Sequence, residues 1–411
     1  MRRLAPLVLL LVAADWPQFR GPGGSAAGTD ADPPTTWAAD GPKWVAELPG
    51  GGSSSPVVVG DRVYVTCYTG GGPAVVRHLV ALDRATGRQV WADTVPGVPE
   101  EDAARGFLTD HGYASNTPAA DATGVVAFFG KAGVAGYDGA GKRLWLTSVG
   151  VESDPRGWGS GASVLLWKRL VIVNAASEGR AVVALDRATG KEVWRAAGKK
   201  LALSFGTPAL LTAGDRTDLV VPMPGEVWGL DPDTGKLRWH AAHTSQGNVS
   251  PSVAAGDGVA FLTGGFTGKA TTAVRPGGEV LWTAKASSYV PTPLVHAGRL
   301  LWVGDDGMTV ALDAATGKTL YSERLPGLGG GGRGGKPVYA SPVRAGDRLY
   351  VVTRKAGTKV LAAGAEFKVL AENPPLDDTD FNATPAICGR ELYLRSNRAV
   401  YRLDRPTEAG K

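Results

Sequence analysis

Two cysteines and five histidines are spread through 411 residues. Cys67 and Cys388 are too far apart in sequence to form a Cys-x-x-Cys pair, so there is no haem-attachment signature, no adjacent cysteine pair and no thiolate metal cluster. His240-x-x-His243 has a spacing known from metal sites, but it sits in a loop-like context with no third ligand nearby. Long hydrophobic runs are missing too: after Leu4 to Val12, itself too short to cross a bilayer, no candidate span occurs. Neither sign of charge dominates, with 44 basic against 39 acidic residues, and this dispersed balance excludes a nucleic-acid-binding face. No stretch has a helical hydrophobic period, which leaves an all-β chain.

What is present is repetition. Ala81 to Trp91, reading Ala-Leu-Asp-Arg-Ala-Thr-Gly-Arg-Gln-Val-Trp, returns as Ala184 to Trp194, Gly229 to Trp239 and Ala311 to Tyr321, with shorter copies at Gly136 to Trp145 and Ala273 to Trp282. The apolar run before the Asp is a strand. Asp-x-x-Thr-Gly then supplies a side-chain acceptor and a residue free to take positive φ, and the next strand carries the aromatic. A second phrase, Ser/Thr-Pro followed by a β-branched run, occurs at Ser55, Thr117, Thr207, Ser250, Thr292, Ser341 and Thr384, with Ala162-Ser163 as a copy lacking proline. Two strands from each phrase make a four-stranded sheet repeating about every 45 residues, the period of a propeller blade. The count predicts an eight-bladed β-propeller of antiparallel four-stranded blades. Blade eight stops at Asp404 without an outer strand, so the strand around Trp44 is expected to complete it and close the ring.

The small-x-Asp-x-x-x-Gly-x-x-x-Trp pattern resembles the tryptophan-docking motif of the PQQ-like (pyrroloquinoline quinone) β-propeller repeats, the superfamily of the quinoprotein dehydrogenases and of BamB-like propellers. The resemblance extends from Trp44 to Asp404. It implies that Trp91, Trp145, Trp194, Trp239, Trp282 and, less strongly, Tyr321 pack between blades against the small residue and Gly of their own motifs, as structural rather than cofactor-binding groups.

Met1-Arg2-Arg3, an apolar run and Ala13-Ala14 read as a signal peptide over residues 1–14. An extended arm over 15–41 and a propeller over 42–411 follow. No Cys follows the apolar run to take a lipid, so a periplasmic or secreted monomer is expected. Cys67 and Cys388 fall in the first and last blades, where either a disulfide across the closure or two small buried residues would fit.

Candidate chemistry lies in the three longest blade-to-blade connections, which share one face. Ala92 to Ser115 carries Arg105, Asp110 and His111 and leads into Asn116. Ser322 to Tyr339 holds a glycine run with Arg333. Ala371 to Asn382 holds Asp378, Asp380 and Asn382. The glycine run lacks the Gly-Lys-Ser/Thr ending of a phosphate loop. For a quinoprotein dehydrogenase, the resemblance implies PQQ and Ca²⁺, with Asp110 or Asp378 as base, Arg105, His111, Asn116 or Arg333 on the cofactor, and Asp378, Asp380 and Asn382 on the ion. The competing expectation is that these residues cap turns on a rim. On that expectation the protein is a non-catalytic scaffold for protein or envelope-polymer partners, and fold alone does not separate the two.

Overall fold

The computed structural model describes residues 15–28, 30–264, 267–328 and 336–405. Among them, eight antiparallel four-stranded blades, one of them extended by a fifth strand from the N-terminal arm, form an eight-bladed propeller. Blade one runs Val57–Val59, Arg62–Thr69, Val76–Asp83 and Gln89–Pro96, from the innermost strand outward. The middle strands are buried on both faces because each blade lies between two others, which explains their unbroken Val and Leu runs. Outer strands alternate between buried and exposed positions, so Val90, Val193 and Leu320, each directly before a docking aromatic, face solvent.

Ring closure is carried by Trp44–Glu47, which pairs antiparallel with Ala399–Asp404 and supplies blade eight with its fourth strand. Two contacts join this blade to blade one: Glu391, itself paired within its blade with Arg402 at 2.8 Å, accepts from Arg84 at 2.8 Å, and Arg402 donates to Arg84 O at 2.6 Å. Cys67 and Cys388 are free, buried thiols in the hydrophobic core at this closure, and burial raises the pKa of both.

The docking aromatics bridge blades in a way that the motif alone does not specify. Each indole lies on the small residue of its own hairpin but under the glycine of the next one. A Cβ on Gly141 would come 2.4 Å from Trp91, one on Gly190 2.6 Å from Trp145, and one on Gly235 2.5 Å from Trp194. The expectation of an own-motif glycine is therefore corrected, because the strand order places each Trp against the neighbouring blade's turn. Where that turn has the full Asp-x-x-Thr-Gly form, Nε1 donates to the carbonyl following the Asp: Trp44 to Arg84, Trp145 to Arg187, Trp194 to Pro232 and Trp282 to Ala314. Where the next turn is shortened, the bond changes. Trp91 Nε1 is left without a partner, and Trp239 donates instead to Asp218 at 2.7 Å. Tyr321 meets Phe367 of blade seven, whose turn has lost the motif.

Around the axis, the Ser/Thr that opens each blade forms a chain of seven hydrogen bonds from blade one to blade eight. Ser55 N donates to Thr117 Oγ1, Thr117 N to Ser163 Oγ, Ser163 N to Thr207 Oγ1, Thr207 N to Ser252 Oγ, Ser252 N to Thr292 Oγ1, Thr292 N to Ser341 Oγ and Ser341 N to Thr384 Oγ1, at 2.9–3.1 Å. Blade five therefore opens at Ser252-Val253 and not at Ser250-Pro251; like blade three, it has no proline after its girdle hydroxyl.

The arm ahead of Trp44 crosses the channel from the other side. Trp16 is fully buried and bridged to Val58, Pro17 O accepts from Ala120, Arg20 donates to Pro293 O, and Ala27–Gly28 adds a parallel strand to the inner edge of blade seven. No described helix is long and apolar enough to cross a membrane.

Candidate functional site

The first long connection is folded back on blade one. Arg77 makes a buried bidentate pair with Glu101 at 2.6 and 2.8 Å and donates to Tyr113 O, while Tyr113 Oη holds Gly72 N and Asp102 O. From this anchor a single helical turn, Leu108–His111, reaches over the channel. Gly106 and Gly112, at φ 55° and 69°, bracket it in a conformation that favours glycine.

Three latches hold this lid. Arg354, from the turn between the second and third strands of blade seven, lies between Asp110 at 3.5 Å and Asp380 at 2.6 Å. Asn382 Nδ2 donates to Asp110 O at 2.9 Å. His111 Nε2 donates to Trp158 O at 2.9 Å, so its Nδ1 must accept from Ser115 Oγ. Burial lowers the His111 pKa, and the ring is a neutral strut with both nitrogens engaged.

Of the residues expected to carry chemistry, the structure thus brings Asp110, His111, Asp380 and Asn382 together, around a cation that the sequence did not single out. The others lie apart. Asp378 is exposed and pairs with Arg398 at 2.8 Å, and Arg105 is exposed on the rim. Asn116 is buried and donates to Ser160 Oγ and Ala162 O. Arg333 falls outside the described residues. His240 and His243 point to opposite sides of their strand, the first beside Glu226 and the second buried against Thr272, so they cannot share a metal. Among the described residues no three His, Cys, Asp or Glu converge as a metal site.

Beneath the lid lies a cavity of ≈ 150 Å³. All eight girdle hydroxyls line it, with Phe107, Trp158, Phe205 and Tyr339 on the lid side and Phe19 from the arm. The aromatic cap is contiguous: Phe107 lies 5.0 Å from Trp158 and 5.6 Å from Tyr339, and Trp158 lies 5.5 Å from Phe205. No lining side chain is a carboxylate, lysine or arginine. A second, smaller void beside it contains Glu178 on the inner turn of blade three. This carboxyl is fully buried, its Oε2 has no partner, and desolvation raises its pKa to about 7.

The cap and the girdle hydroxyls escaped sequence reasoning. The Ser/Thr phrase was visible as a blade marker, and its recurrence at every blade was the signal that its hydroxyls share one environment.

A ring of eight blades, six of them closed by a docked tryptophan and one by Tyr321, is the architecture of the PQQ-like propeller class. The family model described as outer membrane protein assembly factor BamB matches residues 35–157, 130–289 and 267–367, and the chain belongs to this family. Among solved structures, BamB from Moraxella catarrhalis is similar over 89% of this chain and 95% of its own, with a TM-score of 0.58 at 14% identity. A europium-containing methanol dehydrogenase is similar over 93% and 89%, with a TM-score of 0.62 at 13% identity. At these identities the likeness concerns the fold. In sequence, a polyvinylalcohol dehydrogenase of Sphingopyxis sp. (strain 113P3) is 26% identical over 240 residues, 48% of this chain and 34% of that protein. The match thus spans about a third of that relative's length.

Proposed function

We propose that this chain is an exported, non-catalytic binding propeller that presents its lidded face to protein or envelope-polymer partners. The observation that carries this reading is the use made of the chemical groups on that face. Asp110 and Asp380 are engaged by Arg354, His111 is engaged at both nitrogens, and the cavity beneath is lined by neutral groups. PQQ carries three carboxylates and, in its enzymes, needs cationic partners and an ion. The lining residues of this cavity do not fit it. Export rests on residues 1–14, whose basic start, apolar run and small residues lie outside the described structure.

A second reading, a PQQ- and Ca²⁺-dependent dehydrogenase, draws on the stretch similar to polyvinylalcohol dehydrogenase. In-cell photo-crosslinking separates face-specific binding from none. Probes at Arg105 and Asp378 on the lidded face are expected to give discrete adducts, and probes at Asp61 and Asp347, in the turns between first and second strands, are expected to give none. Absence of adducts from the lidded face contradicts the proposal.

A further inference from the structure

We propose that the cavity under the lid binds an uncharged ring polyol, a pyranose or a cyclitol, with its edge to the hydroxyl girdle and its faces to the aromatic side chains. The inference rests on the reading above only in taking the cavity not to be a quinone site. Seven girdle hydroxyls accept a backbone N–H from the neighbouring blade, and none is seen to donate to a described protein acceptor. Their protons remain available to a ligand rich in acceptor oxygens. Two further lining groups are deeply buried and unpartnered: Ser55 Oγ, in a residue 1% exposed, and Asn382 Oδ1, in one 8% exposed. Buried polar atoms left in this state cost stability unless something meets them.

Above and below the girdle the chemistry changes. Phe107 and Trp158 close one side and Phe19 the other. Aromatic faces are electron-rich, so they favour the C–H faces of a saturated ring and oppose an anion, for which the lining has no cation. A girdle of hydroxyl donors between two apolar caps matches a molecule with hydroxyls at its edge and C–H groups on its faces. Size agrees: a water needs about 10–15 Å³ of such space. A cavity of ≈ 150 Å³ therefore holds about ten waters, or one ring with about a dozen non-hydrogen atoms.

The test is calorimetric titration of the full chain with D-glucose, myo-inositol and, separately, PQQ with Ca²⁺. Ser55→Ala and Phe107→Ala serve as variants, because Ser55 Oγ holds nothing in the fold and Phe107 lies on the lid. Saturable binding of at least one polyol is expected. Ser55→Ala should weaken it about fivefold and Phe107→Ala about tenfold, at unchanged melting temperature. No saturable binding up to about 50 mM, or binding indifferent to both substitutions, overturns the inference. PQQ binding that competes with the polyol overturns it together with the proposed function, whereas failure of both ligands to bind removes this inference alone.

Discussion

Trp44 lies against Gly87 of blade one, so that a Cβ on this glycine would stand 2.6 Å from the indole, and Trp44 Nε1 donates to Arg84 O at 3.0 Å. The strand that closes the ring is thus sealed by the same contact that joins consecutive blades.

Gly87→Ala is expected to destabilise the protein by about 2–4 kcal/mol, because it adds a clash with Trp44 to the strain of φ 72°. Gly60→Ala is the control: its φ of 56° is similar, but nothing lies within 4 Å, and it should cost about 1 kcal/mol. Urea midpoints measure the difference. Equal losses would mean that the closure does not depend on this contact.

Glu178 gives stability a pH dependence of definite sign. Burial raises its pKa from 4.5 to about 7. Between those values the folded state keeps a proton that the unfolded chain has released. Stability is therefore undiminished below about pH 4.5 and falls as pH rises through 7, by about 3 kcal/mol for this group. Glu178→Gln should be stabilising at pH 8 and near neutral at pH 4.5. A gain independent of pH would contradict the buried protonated carboxyl.

His243 acts in the opposite direction. Desolvation lowers its pKa from 6.5 to about 4, so the unfolded state takes up the proton first as pH falls. Its contribution is complete above 6.5 and is lost toward pH 4, by about 3 kcal/mol. His243→Gln should flatten this acid limb in thermal melts between pH 7 and 4, whereas an unchanged slope would place the acid sensitivity elsewhere.

Arg354 is expected to hold the lid rather than the fold. Arg354→Met releases Asp110 and Asp380 together, and amide exchange over 105–113 should accelerate at least several-fold while global stability changes by about 1–2 kcal/mol. Exchange unchanged over the lid would show that the turn is held by Asn382 and His111 alone.

Much of this fold was legible because its physical unit repeats: the hairpin with its Asp, Gly and Trp recurs at each clear blade, and the orphan strand at Trp44 was evident from a blade lacking one. The partner glycine of each Trp was not legible, since spacing along the chain does not say which of two adjacent turns an indole will face. By sequence, Ser250-Pro251 fits the blade-opening phrase and Ser252-Val253 does not, and only the hydroxyl girdle selects Ser252. At the site, Asp110, His111, Asp380 and Asn382 stood out as polar residues in long connections. Arg354 did not, because it lies in a tight turn of the most degenerate blade. The cap joins Phe107, Trp158 and Tyr339 from three connections whose paths are set by tertiary contacts such as Arg77 with Glu101.

The most direct measurement is a titration of the purified protein with PQQ and Ca²⁺, followed by quinone absorbance and tryptophan fluorescence, with Trp158 in the cavity wall as reporter. A neutral, aromatic-capped channel predicts no saturable signal up to about 100 μM PQQ. Saturable, Ca²⁺-dependent binding that is lost in Asp110→Ala or Asp380→Ala would contradict the account and make this propeller a quinoprotein.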